Sequence, residues 1–272
     1  MENVTIADSE GPPGLRAGDA MRVRLAIAGK GGVGKTTLSA ALVRSLVRSG
    51  ERVLAIDADP NNCLGRALGL PEGLLSRITP LSEMTDLLAE RAGKAEGGGF
   101  FSINPKVDDL LDRFRVDWEG VSLLVMGTVD EPGAGCVCPE SAVLKALLRH
   151  LVELEDYSLV MDMEAGLEHL GRGTAKHVGA LLIVVEPTAA SARTAARVAD
   201  LAKGLGLKLP GVVVNKARSG DDEAKVLPYL DGLPVIAALP ADPAVAESEA
   251  VPESGPYVEA VEGLRRRLAE SR

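Results

Sequence analysis

The sequence predicts an α/β fold, a doubly wound and mostly parallel sheet of about seven to eight strands with helices on both faces. Two observations lead to this expectation. Short apolar runs alternate with helix-length segments along most of the chain, and several of these runs close on Asp, Asn or Gly. Alternating strands and helices favour parallel strands joined by crossover helices, with ligands bound at the carboxyl ends of the strands.

The individual elements follow from the local pattern. Strands are expected at the apolar runs 23–28, 52–60, 121–127, 157–162, 179–185, 211–214 and 235–239. Helices are expected over 38–49, 141–153, 189–204 and 256–270, with Pro139 at the opening of the second. Residues 71–119 have a weaker periodicity, with helix-like stretches at 81–91 and 107–114, and are interpreted as an insertion or lid-like elaboration.

The first apolar run is followed by the glycine-rich stretch GKGGVGKTT at residues 29–37. A strand, a glycine-rich loop and a helix in this order form a phosphate-binding loop (P-loop), because backbone N–H groups converge on phosphate oxygens at the positive end of the helix. Lys35 is expected to reach the β- and γ-phosphates, and the Thr36 hydroxyl to ligate Mg2+. The remaining nucleotide contacts are assigned to Gly31, Gly32, Val33, Gly34 and Thr37. A glycine-rich turn without a ligand is the alternative.

A second lysine, Lys30, directly follows the first glycine of this loop. The pattern resembles the deviant Walker A motif of dimeric ATPases that include the nitrogenase iron protein and the septum-positioning and plasmid-partitioning ATPases. The resemblance implies that Lys30 reaches across a two-fold interface to the phosphates of the other protomer, as an arginine finger does. A solvated surface lysine is the alternative interpretation of Lys30.

Carboxylates close two of the predicted strands. Asp59, the residue before Pro60 in the run 52–60, is at a position that resembles the residue that orients the attacking water and senses the γ-phosphate in those ATPases. Asp162 ends the run 157–162 and is followed by Gly166, an arrangement typical of a Walker B and switch segment. We expect Asp162 to hold Mg2+ through water and a backbone N–H near Gly166 to read the γ-phosphate. Ordinary turns, including a turn-forming Asp-Pro, are the alternative.

Asn215 follows the strand predicted at 211–214 and resembles the residue that reads the adenine base in this superfamily. Pro240 and Asp242, from the loop after the next strand, are expected to flank the base. Because asparagine is common in turns, an ordinary turn residue is the alternative interpretation of Asn215.

Cys136 and Cys138 are separated by one residue in a loop rich in glycine. Bridging so small a ring strains a disulfide, whereas two thiolates can share one metal ion. A two-fold dimer would supply four sulfurs around Zn2+, and Ni2+ accepts the same ligands in a flatter geometry. Two buried structural cysteines are the alternative, and Cys63 is interpreted as a packing residue on a helix-like stretch.

Length and composition argue against several classes of protein. The 272 residues are expected to form one P-loop ATPase domain over 21–272, preceded by a disordered extension over 1–20 that is poor in bulky apolar residues. The net charge of −9, with no dense Lys/Arg block, argues against nucleic acid as the main partner. No apolar run approaches the length of a membrane span and the start does not look like a signal peptide, so a cytoplasmic protein is expected.

Five stretches together resemble the nickel-inserting accessory ATPases of carbon monoxide dehydrogenase and their sister proteins that mature acetyl-CoA synthase. They are the P-loop, DADPNNCLG (57–65), NPKVDD (104–109), GCVCPE (135–140) and DMEAGLEHLGRGT (162–174). The resemblance implies a cytoplasmic homodimer that hydrolyses ATP to ADP with Mg2+ and assists nickel loading of a large iron–sulfur client. The metal-binding residues expected for this role are Cys136 and Cys138, shared between two protomers around Ni2+ or Zn2+.

Two other functions share parts of this pattern. An electron-transfer ATPase like the nitrogenase iron protein has a similar cysteine loop. It needs two well-separated cysteines per chain for a [4Fe–4S] cluster, however, and no cysteine follows Cys138. A positioning or partitioning ATPase requires a membrane-seeking helix or a basic DNA-binding face, and it has no use for the two neighbouring cysteines.

Overall fold

The computed structural model describes residues 22–93, 105–127, 139–164 and 178–270. Its strands are β1 (Arg24–Gly29), β2 (Val53–Ala58), β3 (Val116–Trp118), β4 (Val121–Val125), β5 (Ser158–Met163), β6 (Ala180–Val185), β7 (Gly211–Ala217) and β8 (Val235–Pro240). Every strand except β3 coincides with a predicted apolar run. The short β3 has only three residues and is partly exposed, so it carries no buried apolar run that would identify it.

The helices are α1 (Lys35–Arg48), α2 (Leu64–Ala67), α3 (Glu72–Leu75), α4 (Thr85–Arg91), α5 (Leu110–Phe114), α6 (Pro139–Glu153), α7 (Ala189–Leu205), α8 (Asp222–Val226), α9 (Pro243–Glu247) and α10 (Pro256–Glu270). The four long helices, α1, α6, α7 and α10, are those that the sequence predicts. α6 begins at Pro139 because a proline in the first turn has no N–H that the helix would leave unpaired. None of the described helices is long and apolar enough to cross a membrane.

The eight strands of the described residues form one sheet in the order β3-β4-β2-β5-β1-β6-β7-β8. Neighbouring strands are parallel except β3 and β4, which pair antiparallel across the two-residue turn Glu119–Gly120. Both turn residues have positive φ, 44° and 82°, as the tightest hairpin turns require. The predicted doubly wound, mostly parallel α/β fold is therefore confirmed.

The two faces of the sheet are covered by different helices. Leu25 and Ile27 of β1 belong to the core formed with α1 and α10, whereas Ala26 and Ala28 belong to the core formed with α6 and α7. This alternation follows from the two-residue period of a strand. Because β1 is buried on both sides, the loop that leaves its carboxyl end starts from a rigid base.

The region predicted as an insertion or lid-like elaboration is partly described. Leu81, Leu88 and Leu110 are buried and belong to the core on the α6 side of the sheet. Within its described part, this region is therefore packed onto the domain. Residues 1–20 lie outside the described ranges, so the disordered extension and the single domain over 21–272 stay predictions.

Candidate active site

The P-loop leaves β1 at the point where the order of the sheet reverses. Strands β5 and β2 continue on one side of β1, and β6 and β7 continue on the other. Ligands of open α/β sheets bind at such a switch point, outside the carboxyl ends of the strands. Lys35 opens α1 and is 6% exposed, whereas Lys30, Gly31 and Gly32 face the surface. The structure thus places the two predicted lysines differently, one inside the site and one at its rim.

Gly34 and Asn215 are in direct contact at the start of α1. Gly34 has φ 92°, and a Cβ on it would lie 2.3 Å from Asn215 Nδ2, so only glycine fits there. Asn215 is buried, and its Nδ2 donates a hydrogen bond to the Val33 carbonyl oxygen at 2.8 Å. Its Oδ1 is buried without a hydrogen-bond partner among the described residues. A buried acceptor without a donor is unusual in a folded protein, and the predicted role of Asn215 in reading the adenine base stays a prediction.

Asp162, at the carboxyl end of β5, faces the first turn of α1. Its Oδ2 accepts a hydrogen bond from Thr36 Oγ1 at 2.6 Å, and its Oδ1 accepts one from Ser39 Oγ at 3.0 Å. Burial raises the pKa of Asp162 to about 6, against the lowering effects of the two hydroxyls and of the Lys35 ammonium. The two predicted Mg2+ residues, Thr36 and Asp162, are therefore adjacent. Ser39 was not predicted, although its place one turn after Thr36 could have indicated it.

Asp57 is a second buried carboxylate that the sequence did not assign. It lies beside Asp162 in the register of β2 and β5 and is completely buried. Its side chain accepts hydrogen bonds from the backbone N–H groups of Leu64 at 2.9 Å and Asp59 at 3.2 Å. Burial raises the pKa of Asp57 to about 7, with a further increase from the charge of Asp162. Asp57 therefore organises the loop that carries Asp59. Its position two residues before Asp59 is the sequence feature that could have indicated this role.

Asp59 stands at the start of that loop and is partly exposed. Its Oδ1 accepts hydrogen bonds from the backbone N–H and the side-chain Nδ2 of Asn61, both at 2.9 Å. These bonds form a turn, so the alternative interpretation of Asp59 as a turn residue is compatible with its place at the site. Sequence and structure agree that its carboxylate lies near the P-loop.

A cavity of about 270 Å3 lies between the P-loop and this turn. Its walls are Gly31, Gly32, Gly34, Lys35 and Thr36 on one side and Asp59, Asn61 and Cys63 on the other. The interpretation of Cys63 as a packing residue is wrong: the thiol is exposed, because Cys63 precedes α2 and the apolar side of that helix begins at Leu64. Although the residue is exposed, partial desolvation of the thiol on the cavity wall, assisted by the charges of Asp57 and Asp59, raises the pKa of Cys63.

The residues predicted to flank the base lie at the end of β8. The backbone N–H of Ala241, between Pro240 and Asp242, donates to the Ala217 carbonyl oxygen at 2.7 Å. This bond holds the loop beside the end of β7, which carries Asn215. The Asp242 carboxylate accepts the N–H of Ala244 at 3.0 Å and caps α9.

Three predicted site residues, Cys136, Cys138 and Gly166, lie outside the described residues. The shared metal site and the switch N–H therefore stay predictions. Within the described ranges, no group of three or more His, Cys, Asp or Glu side chains is arranged to hold a metal ion.

Residues 25–253 match the sequence profile of the CobQ/CobB/MinD/ParA nucleotide binding domain. The chain belongs to this nucleotide-binding family. The carbon monoxide dehydrogenase accessory protein CooC of Rhodospirillum rubrum is 44% identical over 228 residues, which are 84% of this chain and 87% of that protein. An uncharacterized ATP-binding protein of Methanocaldococcus jannaschii is 46% identical, over 84% of this chain and 88% of its own length. The predicted resemblance to the CooC type within the MinD superfamily is confirmed.

Solved structures agree with the fold. The MinD cell division protein of Aquifex aeolicus superposes with a TM-score of 0.63, over 90% of this chain and 96% of its own, at 24% identity. At this low identity, the comparison shows that the chain has the fold of the MinD-type proteins, and it shows nothing about function. Together with the family match, the CooC similarity identifies the chain as an ATPase of this nucleotide-binding family.

The described residues fit the nucleotide and cation that members of this family use. The exposed Gly31 and Gly32 have no atom within 4 Å of a Cβ position, so the P-loop is open where phosphates would approach. The donor set around Thr36 and Asp162 consists of hydroxyl and carboxylate oxygens, which Mg2+ prefers. ATP or ADP with Mg2+ is accordingly the ligand set of this site.

Proposed function

We propose that this protein is an ATP-hydrolysing, metal-binding maturation factor that assists nickel insertion into carbon monoxide dehydrogenase or acetyl-CoA synthase in the cytoplasm. The observation that carries the proposal is the 44% identity with a carbon monoxide dehydrogenase accessory protein across most of both chains. The nickel ion is a cargo in this proposal, and ATP turnover controls its binding and release.

The P-loop and its neighbours supply the residues for nucleotide hydrolysis. The N–H groups around Gly31–Gly34 and the Lys35 ammonium bind the phosphates, and Thr37 adds a contact in the first turn of α1. Asp59 orients the attacking water, since its carboxylate lies on the cavity wall opposite the P-loop. Asn215, whose Oδ1 has no hydrogen-bond partner within the described ranges, selects adenine between Pro240 and Asp242.

Mg2+, when bound, neutralises phosphate charge during hydrolysis. Thr36 and Asp162 would hold it, and the 2.6 Å hydrogen bond between Thr36 Oγ1 and Asp162 Oδ2 supports this assignment. The hydrogen bond from Ser39 Oγ fixes the second carboxylate oxygen of Asp162. A buried carboxylate is costly when it is ionised without a cation nearby. The burial of Asp162 therefore favours the state in which a cation is bound. Gly166, which follows Asp162 in the chain, would report the γ-phosphate to the rest of the switch.

A homodimer connects the ATPase site to metal binding. Lys30 lies at the exposed rim of the P-loop, where a second protomer can approach it, and would contact the phosphates of that protomer. Cys136 and Cys138 of each protomer would supply four sulfurs for one Ni2+ or Zn2+ ion. If nucleotide closes the dimer, its binding and metal binding must favour each other, by about 1–3 kcal/mol in typical couplings.

The proposal is tested by metal analysis combined with light scattering. The wild-type protein is loaded with NiCl2 in the presence and absence of ATP, and nickel content and mass are measured after desalting. We expect about one ion per two chains in a dimer, and loss of the ion in a Cys136→Ser/Cys138→Ser variant. Cys63→Ser is the matched control and should keep the nickel, because that thiol lies in the cavity beside the P-loop.

Two further measurements address ATP and the client. Lys35→Ala should reduce ATP turnover by about 100-fold or more, because it removes the cation next to the phosphates. Activation of nickel-free carbon monoxide dehydrogenase by the loaded protein should need both Lys35 and the cysteine pair. Unchanged nickel content in the double cysteine variant would refute the metal site, and activation by the cysteine variant would refute delivery.

A further inference from the structure

The end of β7 contains an irregularity next to the P-loop. Between Val214 and Ala217, β7 advances three residues while β8 advances from Ala238 to Pro240, which is two residues. The extra residue of this β-bulge leaves Lys216 at φ 59°, a conformation that residues other than glycine seldom adopt. Backbone strain of this kind persists only where neighbouring contacts stabilise it.

The bulge turns two consecutive side chains toward the same loop. Side chains of neighbouring residues in a regular strand point to opposite faces of the sheet. Here Asn215 Nδ2 donates to the Val33 carbonyl oxygen at 2.8 Å, and Lys216 Nζ donates to the Gly32 carbonyl oxygen at 2.7 Å. Two successive carbonyl groups of the P-loop are therefore held by two successive residues of β7.

Glu186 orients the lysine of this pair. Its Oε1 accepts a hydrogen bond from Lys216 Nζ at 2.6 Å, and it follows β6, the strand between β1 and β7. The backbone of Glu186 is itself fixed, because its N–H donates to Ser191 Oγ at 3.1 Å in the first turn of α7. The ammonium group of Lys216 is thus held toward the Gly32 carbonyl oxygen by Glu186, whose own backbone is fixed by Ser191.

We infer that Lys216, oriented by Glu186, is a positioning residue that sets the conformation of the P-loop for phosphate binding. A trans peptide places its C=O and N–H on opposite sides, so holding the carbonyl groups of Gly32 and Val33 outward turns the following N–H groups of Val33 and Gly34 inward. The Val33 N–H makes a long hydrogen bond to the Lys30 carbonyl oxygen at 3.4 Å, which phosphate would replace or share. Inward N–H groups are the donors that bind phosphate. The inference rests on the proposed assignment of the P-loop as the phosphate site.

The experiment measures the KM for ATP, kcat, and inhibition by pyrophosphate in Lys216→Met. Methionine keeps the length of the aliphatic chain and removes the donor. The KM for ATP should rise about tenfold and pyrophosphate inhibition should weaken by a similar factor, as expected for one partly exposed, charged hydrogen bond. Lys216→Arg, which keeps donors, should restore most of the affinity. A loss for ATP with unchanged pyrophosphate inhibition would overturn the inference, because Lys216 would then act on the base or ribose.

Glu186→Gln tests the second part of the inference. Alone, it should raise the KM for ATP less than Lys216→Met does. Combined with Lys216→Met, it should have no further effect, because Glu186 acts only through the lysine. If the KM for ATP of the double variant rises by the full effect of Glu186→Gln on top of that of Lys216→Met, Glu186 does not act by orienting Lys216.

A matched lysine separates this role from a general effect on the fold. Lys203 on α7 is half-exposed like Lys216, at 55% against 49%, and pairs with Asp200 at 3.7 Å. Lys203→Met should change neither KM nor pyrophosphate inhibition, and a rise equal to that of Lys216→Met would contradict the inference. Absence of ATP turnover in the wild-type protein would instead refute the proposed function. The experiment therefore distinguishes a failure of the inference about Lys216 from a failure of the proposed function.

Discussion

The two sides of the P-loop differ in chemistry. On the β2 and β5 side, two buried carboxylates, Asp57 and Asp162, lie next to each other at the strand ends, and burial raises the pKa of both. On the β6 and β7 side, two described side chains, Asn215 and Lys216, donate hydrogen bonds to carbonyl oxygens of the loop. We refer to these as the acidic side and the donor side.

The difference indicates that the acidic side and the donor side have different functions. A buried carboxylate is destabilising until a cation or a proton neutralises it, so the acidic side responds to what is bound. The donor side makes its hydrogen bonds within the protein and gives the loop its shape. Changes on the acidic side should therefore affect turnover most, and changes on the donor side should affect affinity and stability.

Asp162→Asn should have the largest effect. The amide keeps the size of the side chain but removes the charge that the cation requires, so ATP turnover should fall by about 100-fold or more. The cation-free protein should be no less stable at pH 8, because burial already disfavours the ionised Asp162. Steady-state kinetics with a Mg2+ titration, and urea unfolding, measure the two effects. Wild-type turnover in this variant would remove the proposed distinction between the two sides.

Gly34→Ala should have the next largest effect. The new methyl group would collide with Asn215 at a left-handed φ, so nucleotide binding should be lost and unfolding free energy should fall by about 1–3 kcal/mol. Gly50 is the matched control, since it has φ 84° but no atom within 4 Å of a Cβ position. Gly50→Ala should cost about 1 kcal/mol and leave nucleotide binding intact. Equal losses of binding in the two variants would disprove the role of the contact with Asn215.

Asp222→Asn should have the smallest effect, visible as a pH dependence. The Lys225 ammonium and the N–H groups of Arg218 and Ser219 hold the pKa of Asp222 well below its usual range. A lowered pKa in the folded protein contributes stability above the unfolded value of about 4, and this contribution is lost as the pH falls. Urea unfolding should therefore find the Asp222→Asn variant less stable than the wild-type protein at pH 7.

The same pair of proteins defines the test at low pH. The difference in unfolding free energy between wild type and Asp222→Asn should narrow as the pH falls from about 5 to about 2, because the carboxyl of the unfolded chain takes up its proton first. Asp221→Asn is the control, because Asp221 is exposed and its side chain makes no capping hydrogen bond. A difference that widens toward low pH would contradict the assigned direction of the pKa shift.

Much of the fold and part of the site could be predicted from local pattern. The long helices and the seven apolar strands are encoded in runs of neighbouring residues, and the P-loop is one continuous motif. Asp57, Ser39 and Lys216 were not predicted. Their roles depend on contacts with residues from other strands or helices, or on a bulge whose position in β7 is defined by pairing with β8.

The sequence by itself determined the parallel α/β architecture, the phosphate-binding loop and membership of an ATPase family, because hydrophobic period and glycine spacing are local properties. Only the tertiary structure decided which carboxylates are buried together, that Cys63 is exposed, and that consecutive residues of β7 hold consecutive carbonyl groups of the loop. Burial, pKa and side-chain direction depend on which strands become neighbours, and that order is established when the sheet forms.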